Sequence, residues 1–410
     1  MTHAPPGERH SAFVFSLVIV LVGLCGRTII EKALAMRGGT EAVALWGQVG
    51  SLVDLLSGVG LAGIGVGVTV LVAGEGRIGH RRGILYTGVA VGLLLSGLLL
   101  LVVERHPGFL VAMVDGLLPP ELLRLATLAG MLTIVPGVLT GYWQGLGRRR
   151  LLLGWAVLVV VLTLIAVFWP GGTPLMERLL WAQIVPALAV AGVFCYRFMR
   201  HFRDIAWQET WRPLLRFAPV GISIGLLSPF SSLLMRSRLA ELLSWHDVGM
   251  IQAQWRIIEW VTALASGVMV YHYLPMLSAA EGEAFFRQLR RMALATLAPA
   301  AFLMIFFIVF QNTITRFFYQ SGFALPLPTA MMFLLGDWIR VVAWVFLYAL
   351  YARRQTVAIT WGEFLSLPLF TALLWFVPGP LLPWQVGGLW VISYCAYAAF
   401  NGWMVVRKER

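Results

Sequence analysis

Three charge pairs stand at helical spacing inside long apolar runs. Arg256 and Glu259 are three apart in DVGMIQAQWRIIEWVTALASGVMVYHYLP, Asp337 and Arg340 repeat that spacing in GDWIRVVAWVFLYALYARR, and Arg27 and Glu31 are four apart near the end of the first run. Residues three or four apart share a helix face, so each pair can form internally. A charge in the hydrocarbon core costs about 2.5–3.5 kcal/mol on insertion scales, so these residues need a partner or a polar cavity. Two chemistries follow. Each pair is an internal ion pair that neutralises itself and locks helices together, or the arginines exceed what the acids neutralise and leave positive potential for an anionic ligand. Arginine suits phosphate because its planar fork donates in pairs and keeps its proton. For Arg27, Glu31 and Lys32 a third arrangement is open, in which the helix ends near Arg27 and they snorkel to the interface. Asp54 and Gln48 are polar at membrane depth, and Glu363 is either a protonatable site or a packed polar residue.

The elements that position these residues follow from composition. The chain is 59% hydrophobic and 12% charged, with mean hydropathy +0.82, too apolar for a soluble globule of 410 residues. Twelve apolar runs of membrane-crossing length are expected at 11–36, 43–73, 83–103, 121–144, 151–169, 176–198, 214–239, 247–277, 289–311, 329–352, 356–377 and 384–406. The reading is an all-α polytopic membrane protein. Runs 43–73 and 247–277 are longer than a bilayer needs and should tilt, bend or extend.

Those two runs also repeat each other. The offset from Val43 to Val248 is 248 − 43 = 205, half of 410. It sets Asp54 over Glu259, Ser57 over Thr262, Arg82 over Arg287, and Arg148 and Arg149 over Arg353 and Arg354. Two homologous six-helix halves, 1–205 and 206–410, are expected, with a site where they meet.

The net charge of +12 reads as topology. Arginines crowd the breaks after even-numbered runs, for example Arg77, Arg81 and Arg82, Arg148 to Arg150, and Arg200, Arg203, Arg212 and Arg216. The positive-inside rule then puts both termini in the cytoplasm. No nucleic-acid partner is needed to explain the charge, and no cleavage pattern marks a signal peptide.

Other motifs fail on context. Gly58 to Gly63 spells GxGxxG but follows no strand, so a dinucleotide site is not expected; Gly63 and Gly67 read as close helix packing with bending allowed. Pro136, Pro186, Pro219, Pro229, Pro299 and Pro368 should kink their helices. Cys25, Cys195 and Cys395, and histidines such as His80, His106, His246 and His272, lack metal-ligand spacing, so no metal and no cofactor is expected. No nucleophile-plus-base arrangement or long soluble loop suggests an enzyme.

Several passages resemble one family. Trp46 to Thr69 (WGQVGSLVDLLSGVGLAGIGVGVT), Gly141 to Arg148 (GYWQGLGR), Ser244 to Gly249 (SWHDVG), Tyr273 to Ser278 (YLPMLS) and Leu335 to Arg340 (LGDWIR) are similar to the O-antigen and enterobacterial-common-antigen flippases. These belong to the multidrug/oligosaccharidyl-lipid/polysaccharide exporter superfamily. The resemblance implies two six-helix bundles about a cavity in a bacterial inner membrane. It also implies a cargo, undecaprenyl-pyrophosphate-linked oligosaccharide turned from the cytoplasmic to the periplasmic leaflet, with membrane lipids, polysaccharide polymerase and chain-length proteins as partners. Arg27, Arg256 and Arg340 match the family's cationic cavity residues. Glu31, Asp54, Glu259 and Asp337 would then orient those arginines or take up protons. The rival reading is a cation-coupled multidrug exporter, which should carry more acid than base in its cavity; a membrane glycosyltransferase or polymerase should carry a large outer loop. The sequence has few lysines and lacks the two further helices of some relatives.

Overall fold

The computed structural model describes residues 6–61, 63–105, 108, 118–201, 207–215 and 218–409. His106, Arg203 and Arg216 lie outside the described residues. Every regular element among those described is a helix. In hydrocarbon a helix satisfies its backbone groups within one segment, whereas an open sheet edge leaves them bare.

In the first half of the chain the helices are α1 (Pro6–Leu61), α2 (Ile64–Gly74), α3 (Ile78–Arg105), α4 (Pro120–Leu132), α5 (Ile134–Gly145), α6 (Arg149–Phe168) and α7 (Leu175–His201). Then come α8 (Trp207–Leu215), α9 (Ala218–Leu242), α10 (Trp245–Val268), a π-helical turn (Met269–Tyr273), α11 (Leu274–Ala279) and α12 (Gly282–Val309). The chain closes with α13 (Gln311–Phe318), α14 (Leu327–Ala352), α15 (Thr356–Phe364), α16 (Leu367–Phe376) and α17 (Pro383–Glu409). Helix occupies each of the twelve expected runs. Eight spans among the described residues are long and apolar enough to cross a membrane, and α1 with α2 makes a ninth, bent one. The protein is an all-α, multi-pass membrane protein.

The helix breaks have local causes. Gly39 (φ 67, ψ −157) divides α1 between the first two expected runs, in a backbone region essentially reserved for glycine. Gly63 (φ 73) separates α1 from α2, and the two axes differ by 50°. Residue 63 plus 205 is 268, and the π-helical turn begins at Met269. Both over-long runs are thus irregular at the same station. Pro136 and Pro368 sit just inside α5 and α16, each shortly after a helix ends, whereas Pro186, Pro229 and Pro299 lie within continuous helices. In the turn before α3, Glu75 accepts from the backbone N–H of Arg77 at 2.9 Å, which holds its carboxyl below the ordinary value.

The two halves repeat in backbone as well as in sequence. The Gly39 break and the Ser244 N-cap are 244 − 39 = 205 apart, and α3 and α12 start 282 − 78 = 204 apart. Further on the interval is 326 − 119 = 207, between prolines of near-identical conformation, Pro119 (φ −53, ψ 144) and Pro326 (φ −52, ψ 138), that precede α4 and α14. At the next turn Gly147 N–H bonds Gln144 O and Arg148 N–H bonds Trp143 O, while Arg354 N–H bonds Tyr351 O and Gln355 N–H bonds Leu350 O. The backbone therefore sets Gly147 (φ 67) over Arg354 (φ 55), an interval of 207. A constant 205, which pairs Arg148 and Arg149 with Arg353 and Arg354, is two residues out here because the copies differ in length between the third and fourth runs.

Packing divides the chain elsewhere than at 205/206. One compact unit holds Met1–Leu24, Glu31–Ala44 and Arg238–Arg410; the other holds Cys25–Ile30 and Leu45–Ser237. The second unit is built on small residues. Gly58 meets Gly225 backbone to backbone, and Gly141 and Gly145 do the same to α2 at Gly65 and Thr69, the close approach that drives helix association in lipid. Gly63 bends the chain. Ile64, Val68, Val89, Ile134 and Val138 fill the adjoining core. The first unit has its own core of Met269, Phe285, Met292, Val341, Ala349 and Leu350.

Candidate functional site

The site begins with how α10 is started. Ser244 caps the helix, accepting from the Asp247 N–H at 3.1 Å and donating to the Asp247 carboxylate at 2.6 Å, which satisfies an orphan donor of the first turn. Just inside it, His246 Nδ1 and Thr40 Oγ1 are 2.7 Å apart, and a side chain on Gly249 would overlap the Thr40 backbone. These contacts fix α10 against the chain just past Gly39. Arg256 and Glu259 follow on one face, and Arg256 reaches both Glu259 on its own helix and Glu31 on α1. Its Nε donates to Glu31 Oε1 at 2.9 Å, and its Nη1 donates to Glu259 Oε2.

Glu31 is the buried end of this group, 1% exposed against 18% for Arg256 and 32% for Glu259. Its other oxygen accepts from the Tyr319 hydroxyl at 2.6 Å. Tyr319 follows α13, and that segment is tied to α1 on both sides of the bond. Lys32 Nζ donates to Phe317 O at 2.6 Å, and Gln320 Nε2 donates to Ala35 O at 2.9 Å. A carboxylate held by a guanidinium fork and a phenol is satisfied where a bare one would be costly.

A second group stands on α14 and α17. Asp337 is fully buried, and its Oδ1 accepts from Arg340 Nη2 at 3.1 Å and Trp390 Nε1 at 3.3 Å. The Arg340 guanidinium lies over three rings, with centroids 5.3 Å away in Trp344, 5.7 Å in Tyr394 and 6.0 Å in Trp390. Gly336 makes room for the Trp390 indole, which a side chain there would strike. Trp390 also packs on Phe370, Tyr394 and Trp255. Trp255 adjoins Arg256 in sequence, so aromatic contact joins the two groups. Asp337 Oδ2 and Arg340 Nε are buried without hydrogen-bond partners.

The structure thus brings together Glu31, Arg256 and Glu259, and separately Asp337 and Arg340, all in one unit. Glu31 takes its ion pair from Arg256, 225 residues away, and not from Arg27. The helical spacing allowed the Arg27–Glu31 pair, but the longer-range fork offers better geometry to a buried oxygen. Arg27 and Asp54 are both exposed and belong to the other unit. That unit has a buried polar contact of its own. Arg236, 9% exposed, donates to Ser51 Oγ at 2.5 Å, and Gln48 donates to Ser237 Oγ at 3.1 Å. Arg236 was legible only as a charge near the end of a run. Tyr319 gave no sequence signal, because it lies after a short helix between spans. Trp390 and Tyr394 are four apart on α17 and so share a face, a spacing that could have pointed to an aromatic seat for a cation.

The fold is shared with multidrug-resistance MATE transporters of the MOP superfamily. An inward-facing MATE transporter aligns over 97% of this chain and 98% of its own, at 13% identity and TM-score 0.73. An outward-facing one aligns over 98% and 96%, at 17% identity and TM-score 0.61. A MOP-superfamily transporter from Pyrococcus furiosus, described as having a binding pocket of reverse polarity that suggests a different function, aligns over 98% and 97%, at 16% identity and TM-score 0.61. No protein-family model matches the chain. No curated protein matches it either.

Proposed function

We propose that this chain is a transporter that turns an anionic, lipid-linked oligosaccharide from the cytoplasmic to the periplasmic leaflet of a bacterial inner membrane. The observation that carries the reading is the unequal pair of carboxylates on Arg256. Glu31 is buried and further held by Tyr319, whereas Glu259 is one-third exposed. An incoming phosphate oxygen can replace Glu259 on the guanidinium while Glu31 keeps the fork aimed. The cargo is then bound by exchange of one anion for another, so no arginine is left bare in the empty state. Arg27 and Arg340 are the other proposed cargo contacts, with Asp54 and Asp337 as orienting partners. The resemblance of Trp46 to Thr69 and of Leu335 to Arg340 to the flippases supports the cargo, and the arginine-rich breaks support cytoplasmic termini. Inward- and outward-facing structures of the same fold support alternating access.

One observation favours a second reading, export of organic cations. Three carboxylates, Glu31, Glu259 and Asp337, stand against two arginines in the described groups, and fold alone does not set cargo polarity. Proteoliposomes decide between the two. With a lipid-linked oligosaccharide in one assay and a fluorescent organic cation in the other, the flippase reading expects glycolipid translocation that Arg256→Ala removes. Cation efflux that Glu259→Gln removes, with no glycolipid movement, overturns it in favour of the exporter.

A further inference from the structure

Arg81, Arg178, Arg238, Arg256 and Arg340 each donate to an oxygen of the chain itself. One group of arginines does not. Arg287, Arg290 and Arg291 on α12 and Arg354 in the turn between α14 and α15 are exposed, and among the described residues none of them makes an ion pair or a side-chain hydrogen bond. The turn lies against α12, because the Arg353 guanidinium packs on the Phe285 ring, 4.1 Å from its centroid. Arg287 is three residues from Arg290 and four from Arg291, the spacings at which like charges on a helix repel. Glu283, one turn before Arg287, is exposed and pairs with none of them among the described residues.

Two further features point to a partner outside the chain. Arg354 (φ 55) stands where the first copy has Gly147 (φ 67), in a left-handed conformation that favours glycine. The second copy thus carries a long cation where the backbone disfavours any side chain, and that cation gains no ion pair within the described chain in return. The arginines also stand beside lipid-facing surface. Phe286, Arg290 and Leu294 recur at four-residue intervals along one stripe of α12, and both apolar members are exposed. Val357 and Trp361, four apart on α15 just after the turn, are exposed as well. Both belong to spans of membrane-crossing length and apolarity, Gly282–Val309 and Thr356–Phe376, so these side chains face hydrocarbon while the arginine stems reach out to the headgroups.

We propose that Arg287, Arg290, Arg291 and Arg354 form a site for the phosphate headgroup of an anionic phospholipid, in the leaflet on the side of the arginine-rich turns. Guanidinium forks donate in pairs to phosphate oxygens, and the bound anion offsets the repulsion among the four cations. The acyl chains lie along Phe286 and Leu294. A soluble phosphate satisfies the same charges but gains nothing from the apolar stripe, which is why the lipid is the favoured source. The headgroup bridges α12 and the turn that starts α15, so it braces that turn in a charged membrane.

The site is tested with full-length protein and no cargo. Native mass spectrometry of the detergent-solubilised protein follows separate titrations with phosphatidylglycerol, phosphatidylcholine and inorganic phosphate, and tryptophan-fluorescence melting is recorded in parallel. The variants are Arg290→Gln, Arg354→Gly and their combination, with Arg148→Gln plus Arg150→Gln as a control at the other copy's turn. Phosphatidylglycerol is expected to bind and to raise the melting temperature, with an affinity that falls ~5-fold for each arginine removed from the site and is unchanged in the control. Arg354→Gly is expected to melt above the unaltered protein in phosphatidylcholine, since its backbone strain is relieved, yet to lose much of the stabilisation by phosphatidylglycerol. Loss of binding in a more stable variant cannot come from misfolding. Phosphatidylglycerol affinity that Arg290→Gln and Arg354→Gly leave intact overturns the proposal. An equal loss in the control overturns it in favour of general surface attraction, and equal protection by inorganic phosphate overturns it in favour of a soluble anion.

Discussion

Arg256 Nε and Glu31 Oε1 are 225 residues apart in the chain and 2.9 Å apart in the structure. That bond joins α10 to α1, and the Tyr319 hydroxyl closes the other side of the same carboxylate. The energetics are those of a nearly buried ion pair, for which removing one partner is worse than removing both.

Arg256→Ala is therefore expected to destabilise the protein by about 3–5 kcal/mol, because it strands Glu31 as an uncompensated buried charge. The double variant Glu31→Gln with Arg256→Gln is expected to recover at least half of that loss. Thermal unfolding in detergent, followed by tryptophan fluorescence, measures both. A double variant no more stable than Arg256→Ala contradicts the account.

Tyr319→Phe removes one donor and leaves the ring in place, so its expected cost is about 1–3 kcal/mol. Protease cutting near Phe317 to Gln320 should rise with it, since the Tyr319 bond is one of three that tie this segment to α1. An unchanged cleavage rate would mean that the Lys32 and Gln320 bonds suffice.

How much of this was legible beforehand varied with the type of interaction. Composition and run length disclosed the helical spans because hydrocarbon permits little else, and the recurrence of the 43–73 run at 247–277 disclosed the two copies, though the charges further on do not align at its offset. Arg256 with Glu259 and Asp337 with Arg340 were legible because three residues along a helix always share a face. The partner of Glu31 was not, since nothing local links residue 31 to residue 256 or to Tyr319. The aromatic seat of Arg340 was legible only in the Trp390–Tyr394 spacing, since it draws on both α14 and α17. The interval between copies drifted from 204 to 208 because loops absorb length changes that helices resist; α7 and α17, for instance, start 383 − 175 = 208 apart.

Arg340→Lys keeps the charge but loses the planar face presented to Trp344, Trp390 and Tyr394. Cation–π contacts of desolvated groups are worth up to about 2 kcal/mol, and a loss of about 1–2 kcal/mol is expected. Near-ultraviolet circular dichroism should change as well, because Trp390 loses its neighbour. A spectrum and melting point equal to those of the unaltered protein would remove the rings from the account.

Two glycines make opposite predictions about cause. Gly39→Ala should cost about 1–3 kcal/mol through backbone strain, with open space around the new methyl. Gly58→Ala should cost a similar ~1–3 kcal/mol through collision with the Gly225 backbone. Gly225 has no side chain to shorten in compensation. A library of second-site revertants should restore Gly58→Ala through shifts in α9 and should find none for Gly39→Ala in that helix.

The wide turn at Met269–Tyr273 has a further meaning for anyone editing this chain. A π turn is an α-helix carrying one residue more than its pitch accommodates, and each residue of an α-helix advances the azimuth by about 100°. The wide turn absorbs that surplus residue, so Arg256 and Leu277 keep their azimuths on either side of it. Deleting a residue from the regular helix between Arg256 and Val268 has no such slack and would swing Arg256 by about that angle about the helix axis relative to Leu277. One codon there separates a guanidinium aimed at Glu31 from one aimed a quarter-turn away.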